Sequence, residues 1–181
     1  MINKKKIIGI VPARIGSKGL KLKNLKLVNN KPLIYWPITA LKKSKFVDKI
    51  IISTDSKKIK KIAVNFGTSA PFLRPKKLAT NSAKTSDVII HALNYFSNKG
   101  IYFDYIVLLE PTSPLTTNKD IDEAIIKIDR NSKKIDAIVS VAENIAGHPK
   151  FCVEINKDKT IKPYLKKFHD LRRQAINKIY Y

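Results

Sequence analysis

KIIGIVPARIGSKGLKLKN, residues 6–24, decides the fold of this chain. Its first half, KIIGIVPA (6–13), is a short apolar run rich in β-branched residues, and it ends at a Pro-Ala-Arg turn. Such a run reads as a strand buried on both faces. Its second half is basic and carries Gly16 and Gly19, which let backbone come close to a ligand. A glycine-containing basic loop after a buried strand is the usual physical answer to a polyphosphate, and a solvated basic turn is the alternative that the residues alone leave open. The spacing is neither a Walker loop nor a dinucleotide fingerprint.

Working outward, the same alternation repeats. LIYWPITALKKS (33–44) has helical spacing, with Pro37 tolerable only in the first turn. DKIIIST (48–54) is a second buried strand. DSKKIKKIAVNFG (55–67) is a helix with Asp55 or Ser56 as its cap and Gly67 as its stop; Asp55 could also sit near the nucleotide, and for it the cap is the favoured reading. KTSDVIIHALNYFSNKG (84–100) is a helix closed by Gly100, and FDYIVLLEP (103–111) a third strand. TTNKDIDEAIIKIDRN (116–131) is a helix capped by Thr117 or Asn118, and DAIVSVAE (136–143) a fourth strand. Apolar strands separated by helices predict a three-layer α/β/α domain with a mostly parallel sheet. In such sheets ligands bind beyond the carboxyl ends of the strands, so loops 12–24, 53–56, 71–85 and 109–117 are the ones to watch.

The 181 residues form one expected domain, with an α/β core over 1–143 and a segment over 144–181 of hairpin and loop character. That segment holds KFCVEIN (150–156), KDKTIKPYL (157–165) and FHDLRRQAINKIYY (168–181). No apolar run approaches the ~20 residues of a membrane span. The single cysteine, Cys152, forms no internal disulfide and is expected as a buried thiol in a reducing compartment, the cytoplasm.

The formal charge of +22 invites a nucleic-acid reading. Against it, only five of the 36 basic residues are arginines, the side chains whose forks read bases and phosphates. The lysines are scattered in pairs such as Lys42-Lys43, Lys57-Lys58 and Lys60-Lys61. A solvated lysine surface is therefore expected, with neither nucleic acid nor membrane as partner. The charge still draws in anionic substrates.

Several motifs occur in one order: PARxGSKG…KN (12–24), KPLI (31–34), IIISTDS (50–56), PFLRPKKLATNSAKT (71–85), LLEPTSPLTT (108–117), His148-Pro149, and RRQ (172–174). This series resembles the CMP-sialic acid synthetases (N-acylneuraminate cytidylyltransferases), within the sugar nucleotidyltransferases. The resemblance implies a Rossmann-like nucleotidyltransferase domain. It also implies transfer of CMP from CTP to a sialic-acid-like nonulosonic acid with release of pyrophosphate. Carried over residue by residue, Arg14, Lys18 and Lys23 become the groups that neutralise the phosphates. Ala13, Ser17, Asn24, Arg74, Ala83 and Thr85 complete the nucleotide site. Glu110, Pro111, Thr112 and Ser113 form the sugar-side turn, joined by Arg173 and Gln174. Arg173 matches an arginine that meets the sugar's carboxylate.

Four positions depart from the family pattern: Ile15 for glycine, Asn81 for aspartate, Thr85 for serine and Glu110 for glutamine. The resemblance also implies Mg²⁺ held by the phosphates and by two aspartates beyond the matched stretch, so no metal ligand is expected among residues 1–181. It implies a homodimer built from 144–175. Readings as a nucleotidyltransferase for another sugar acid, or as an inactive nucleotide-binding relic, stay open. His91 is expected as a packed histidine, Trp36 and Phe46 as core, His148 as either a sugar-side or a loop residue, and His169 has no role.

Overall fold

The structure is a computed structural model, and it describes residues 2–17, 19–141, 152–157 and 159–164. The chain divides into two compact units, Met1–Asp136 and Ala137–Tyr181.

In the first unit, three parallel strands form the central sheet: β1 (Ile7–Pro12), β4 (Lys49–Ser53) and β5 (Tyr105–Leu108), in the order β4-β1-β5. The register pairs Ile10 with Ile51 on one side and with Leu108 on the other. Between β1 and β4 lie a small antiparallel hairpin, β2 (Leu27–Val28) and β3 (Lys31–Pro32), and the helix α1 (Tyr35–Lys43). Between β4 and β5 come α2 (Lys57–Asn65) and α3 (Thr85–Ser97), and α4 (Asn118–Arg130) follows β5.

The pleat of the strands sorts these helices into two layers. Ile7 and Val11 of β1 and Ile52 of β4 face α1, α2 and α4, meeting Ile38, Leu41, Ile59, Ala63, Ile121 and Ile125. Ile8, Ile10 and Ile51 face the other way, onto Ala92 and Phe96 of α3. The expected three-layer α/β/α architecture is therefore present. Gly9 lies on the α1 side, where a Cβ would come within 2.8 Å of Leu41 Cδ2, so only glycine lets α1 pack this closely.

The helix ends follow their sequence signals. Pro37 falls in the first turn of α1. Gly67 and Gly100 stand at φ of 73° and 70°, the left-handed conformation that closes α2 and α3 at low cost. Thr117 caps α4 in a reciprocal box with Asp120. The cap of α2 is Ser56, whose hydroxyl accepts from Ile59 N–H. Asp55, for which a cap is the favoured expectation, instead accepts from Ile15 N–H.

The second unit contains an antiparallel hairpin, β6 (Val153–Ile155) and β7 (Ile161–Pro163), braced by a Glu154–Lys162 ion pair at 2.8 Å. This matches the hairpin character read from the sequence. Two expectations fail here. Residues 136–141 form no strand, and Val139 and Val141 stand 77% and 62% exposed. Without burial, an apolar run has nothing to hold it extended. Cys152 is exposed, because it enters a hairpin whose strand β6 is open to solvent along its length. His148, Arg173, Gln174, His169 and most of 144–175 lie outside the described residues.

Candidate functional site

β1 is the point where the strand order reverses, since β4 lies on one side of it and β5 on the other. Helices leave such a switch point in opposite directions and open a crevice at the carboxyl end of the strands. A cleft of about 260 Å³ opens there, reached from Pro12 at the end of β1.

The loop after β1 forms its floor. Ala13 is fully buried, and its N–H donates to Ser53 O at 2.9 Å, which extends the β1–β4 pairing by one residue. Arg14 reaches across the cleft. Its Nη1 donates to Ala79 O at 3.2 Å and its Nη2 to Asn81 Oδ1 at 2.8 Å. Behind it, buried Asn24 donates from Nδ2 to Arg14 O at 2.9 Å, tying the end of the loop to its start. Leu22, at φ 55°, turns the chain into the short 3-10 turn Lys23–Leu25 that delivers Lys23 and Asn24. Ile15 is not among the residues with positive φ, so its β-branched side chain sits there without strain and packs against the larger core.

The end of β4 anchors another lining residue, Arg74. Ser53 and Thr54 are both buried, and both bind Arg74. Arg74 Nε donates to Ser53 Oγ at 3.1 Å, Nη2 to Ser53 O, and Nη1 to Leu78 O at 3.3 Å. Its backbone N–H donates to Thr54 O at 2.7 Å. Three of its five side-chain donors are thus engaged by the protein. Burial pushes the guanidinium down to about 10, Asp55 nearby pulls it up, and Arg14 pushes it down further. It remains a cation at neutral pH.

The remaining walls come from two turns. Ala83, Thr85 and Val88 line the cleft at the N-terminal end of α3, where orphan backbone N–H groups and the helix dipole favour an anion. Glu110, Pro111 and Thr112 line it after β5. In that turn, Thr112 Oγ1 donates to Glu110 Oε2 at 3.3 Å, and Ser113 N–H donates to Glu110 O at 3.1 Å.

The structure thus brings Arg14, Ser17, Lys23, Asn24, Arg74, Ala83, Thr85, Glu110, Pro111 and Thr112 around one cleft. Ala13, which is buried, and Ser113, which is exposed, are not among its lining residues. Lys18 lies outside the described residues, as do Arg173 and Gln174. Among the described lining residues, Arg14, Lys23 and Arg74 face a single carboxylate, Glu110. Such a balance favours an anionic ligand.

No group of three His, Cys, Asp or Glu side chains able to hold a metal occurs among the described residues. One carboxylate does not make a Mg²⁺ site by itself, so the described side chains do not fit a protein-held metal.

Sequence reasoning gave no contact to Thr80 or Asn81, which also line the cleft. In the sequence, Asn81 shows only as a departure from the family pattern. Its use as an acceptor for Arg14 depends on two loops 67 positions apart meeting in space. His91 stacks edge-on to Phe72 at 4.7 Å between centroids, as a packed histidine should. Phe46 is half-buried against the core, and Trp36 is half-buried and stands edge-on to Tyr35 at 5.4 Å, so neither is enclosed as a core residue. Among the described residues, no helix is long and apolar enough to cross a membrane.

The chain matches the family model described as Cytidylyltransferase over residues 8–175. It is 38% identical over 167 residues to the CMP-N,N'-diacetyllegionaminic acid synthase of Legionella pneumophila, a match covering 92% of this chain and 69% of that protein. It is 40% identical over 141 residues to the N-acylneuraminate cytidylyltransferase of Escherichia coli O18:K1:H7, covering 77% of this chain and 32% of that protein. Among solved structures, it superposes on a CMP:2-keto-3-deoxy-manno-octonic acid synthetase complexed with CTP. The TM-score is 0.60 at 19% identity, over 76% of this chain and 51% of that one, which is a likeness of fold.

Proposed function

The chain belongs to the cytidylyltransferase family, and from that premise we propose that it transfers CMP from CTP to a sialic-acid-like nonulosonic acid, releasing pyrophosphate. The observation that carries this reading is the meeting of Arg14, Lys23 and Arg74 with the N-terminus of α3 in one cleft at the switch point of the sheet. The names of its relatives in Legionella and Escherichia supply the class of acceptor.

In the proposed reaction, the anomeric hydroxyl oxygen of the sugar acid bonds to the α-phosphorus of CTP. The bond from that phosphorus to the bridging oxygen breaks, pyrophosphate leaves with the electron pair, and the hydroxyl proton is released. The protein's task is to align the reacting atoms and neutralise charge. Arg14 and Lys23, with Lys18 of the same loop, take the phosphates. Ser17 and Asn24 hold the loop side of the nucleotide. Arg74, Ala83 and Thr85 cradle cytosine and ribose. The Glu110–Ser113 turn meets the sugar; Arg173 and Gln174, which the resemblance assigns to the sugar, lie outside the described residues.

The reading places Mg²⁺ on the nucleotide's phosphates, the reaction in the cytoplasm, and the chain in a homodimer formed through 144–175. Its test is pyrophosphate release from CTP with N-acetylneuraminate, legionaminate or pseudaminate as acceptor. Release that depends on one of these acids is expected. Release that answers to a different sugar acid, such as 2-keto-3-deoxy-manno-octonate, and to none of these would overturn the acceptor class.

A further inference from the structure

Three consecutive polar residues stand at and just after the end of β4, Ser53, Thr54 and Asp55, and the first two are occupied with Arg74. Asp55 is half-buried and caps no helix, since Ser56 caps α2. Its Oδ1 instead accepts the backbone N–H of Ile15 at 2.8 Å, across 40 positions of sequence. The Ile15 side chain packs on the core, so residue 15 is held at both its backbone and its side chain. Its neighbours Arg14 and Gly16 both line the cleft. The same carboxylate lies near enough to Arg74, another lining residue of the cleft, to stabilise its positive charge.

We propose that Asp55 is a positioning residue for the nucleotide: its bond to Ile15 fixes the loop that presents Arg14 and Gly16 to the phosphates. Asp55 itself is not among the residues lining the cleft. A hydrogen bond from a backbone N–H to an ionised carboxylate is stronger than a neutral one and well suited to hold a loop. The distance matters because small displacements of phosphate-binding groups are costly for a triphosphate ligand. The proposal rests on the reading that the cleft takes CTP.

The experiment compares the 181-residue chain with Asp55→Ala and Asp55→Asn. It measures CTP affinity by calorimetry and the hydrogen exchange of the Ile15 amide by NMR without nucleotide. Asp55→Ala is expected to weaken CTP binding by about tenfold or more, as losing one charge-assisted bond implies, and to speed exchange at Ile15. Asp55→Asn keeps an acceptor oxygen and is expected to restore most of the affinity and the protection. That rescue keeps the test open if Asp55→Ala fails to fold, because Asp55→Asn should then fold and bind. Unchanged CTP affinity in Asp55→Ala, or unchanged exchange at Ile15, would overturn the proposal. If the unmodified chain binds no CTP while Asp55→Ala still accelerates Ile15 exchange, the clamp exists but the ligand is wrong. That outcome overturns the nucleotide role and separates failure of the cleft reading from failure of the clamp.

Discussion

Arg14 donates from Nη2 to Oδ1 of Asn81 across 2.8 Å, so the loop after β1 and the loop before α3 meet over the cleft. A neutral amide orients the guanidinium without cancelling its charge, which leaves Arg14 available to an anion. Arg14→Ala is expected to weaken CTP binding by about tenfold or more, the scale of one charge-assisted bond. Asn81→Ala should cost less, because Ala79 O still holds Nη1. Calorimetric titration of both variants checks the order.

Arg74 shapes the wall from a buried position, so its loss should appear first in stability. Arg74→Ala leaves Ser53 and the Leu78 carbonyl without their donor. Unsatisfied buried groups of this kind cost about 1–3 kcal/mol. Arg74→Lys should rescue little, since an ammonium lacks the planar fork that reaches Ser53 and Leu78 together. Urea unfolding of the three proteins measures this.

The cap of α4 gives a prediction with a pH dependence. Thr117→Ala should cost about 1 kcal/mol at neutral pH, the usual worth of an N-cap. Asp120 accepts from the N–H and the hydroxyl of Thr117, and the backbone bond above all holds its carboxyl below the ordinary value. A depressed carboxyl stabilises the fold above its unfolded value, near 4, and the contribution is lost as pH falls through the folded value. The melting temperature of Asp120→Ala should therefore trail the unmodified chain at pH 7 and converge with it in stronger acid.

His91 works in the opposite sense. Burial chiefly, then the charges of Arg74 and Lys77, hold its imidazole below the ordinary value. Its Nδ1 is buried without a hydrogen-bond partner. As pH falls through about 6.5, the unfolded chain takes up a proton that the folded one resists. Stability is thus lost in that window until the folded value is reached. His91→Phe, which keeps the ring against Phe72, should flatten the change in melting temperature between pH 7.5 and pH 5.5.

The parallel sheet was readable from the strings around Ile7–Pro12, Lys49–Ser53 and Tyr105–Leu108, because strands buried on both faces or beside a core carry little polar punctuation. Thr117 and Gly100 announced their helix ends by chemistry that acts within a few residues. What escaped depends on contacts remote in sequence. Asp55 and Ser56 both have capping chemistry, and only the approach of Ile15 N–H assigns them different work. The run 136–143 had strand composition, but residues 136–141 lack burial. The Asn29-Asn30 pair, at φ of 47° and 59°, makes the β2–β3 turn, a hairpin whose signal was present and unread. At the cleft, the basic loop was readable from its composition. The cytosine and sugar positions came from resemblance alone, since nothing in Ala83 or Thr85 by itself speaks of a base.

Nucleotide selectivity tests the cleft most directly. Calorimetric titration of the 181-residue chain with CTP, UTP, ATP and GTP should show CTP binding at one site per chain. Its affinity should exceed the others by about tenfold or more, the discrimination that a few hydrogen bonds to the base provide. Equal affinities for all four nucleotides, or no binding of CTP, would contradict the assignment of this cleft to a cytidylyltransferase.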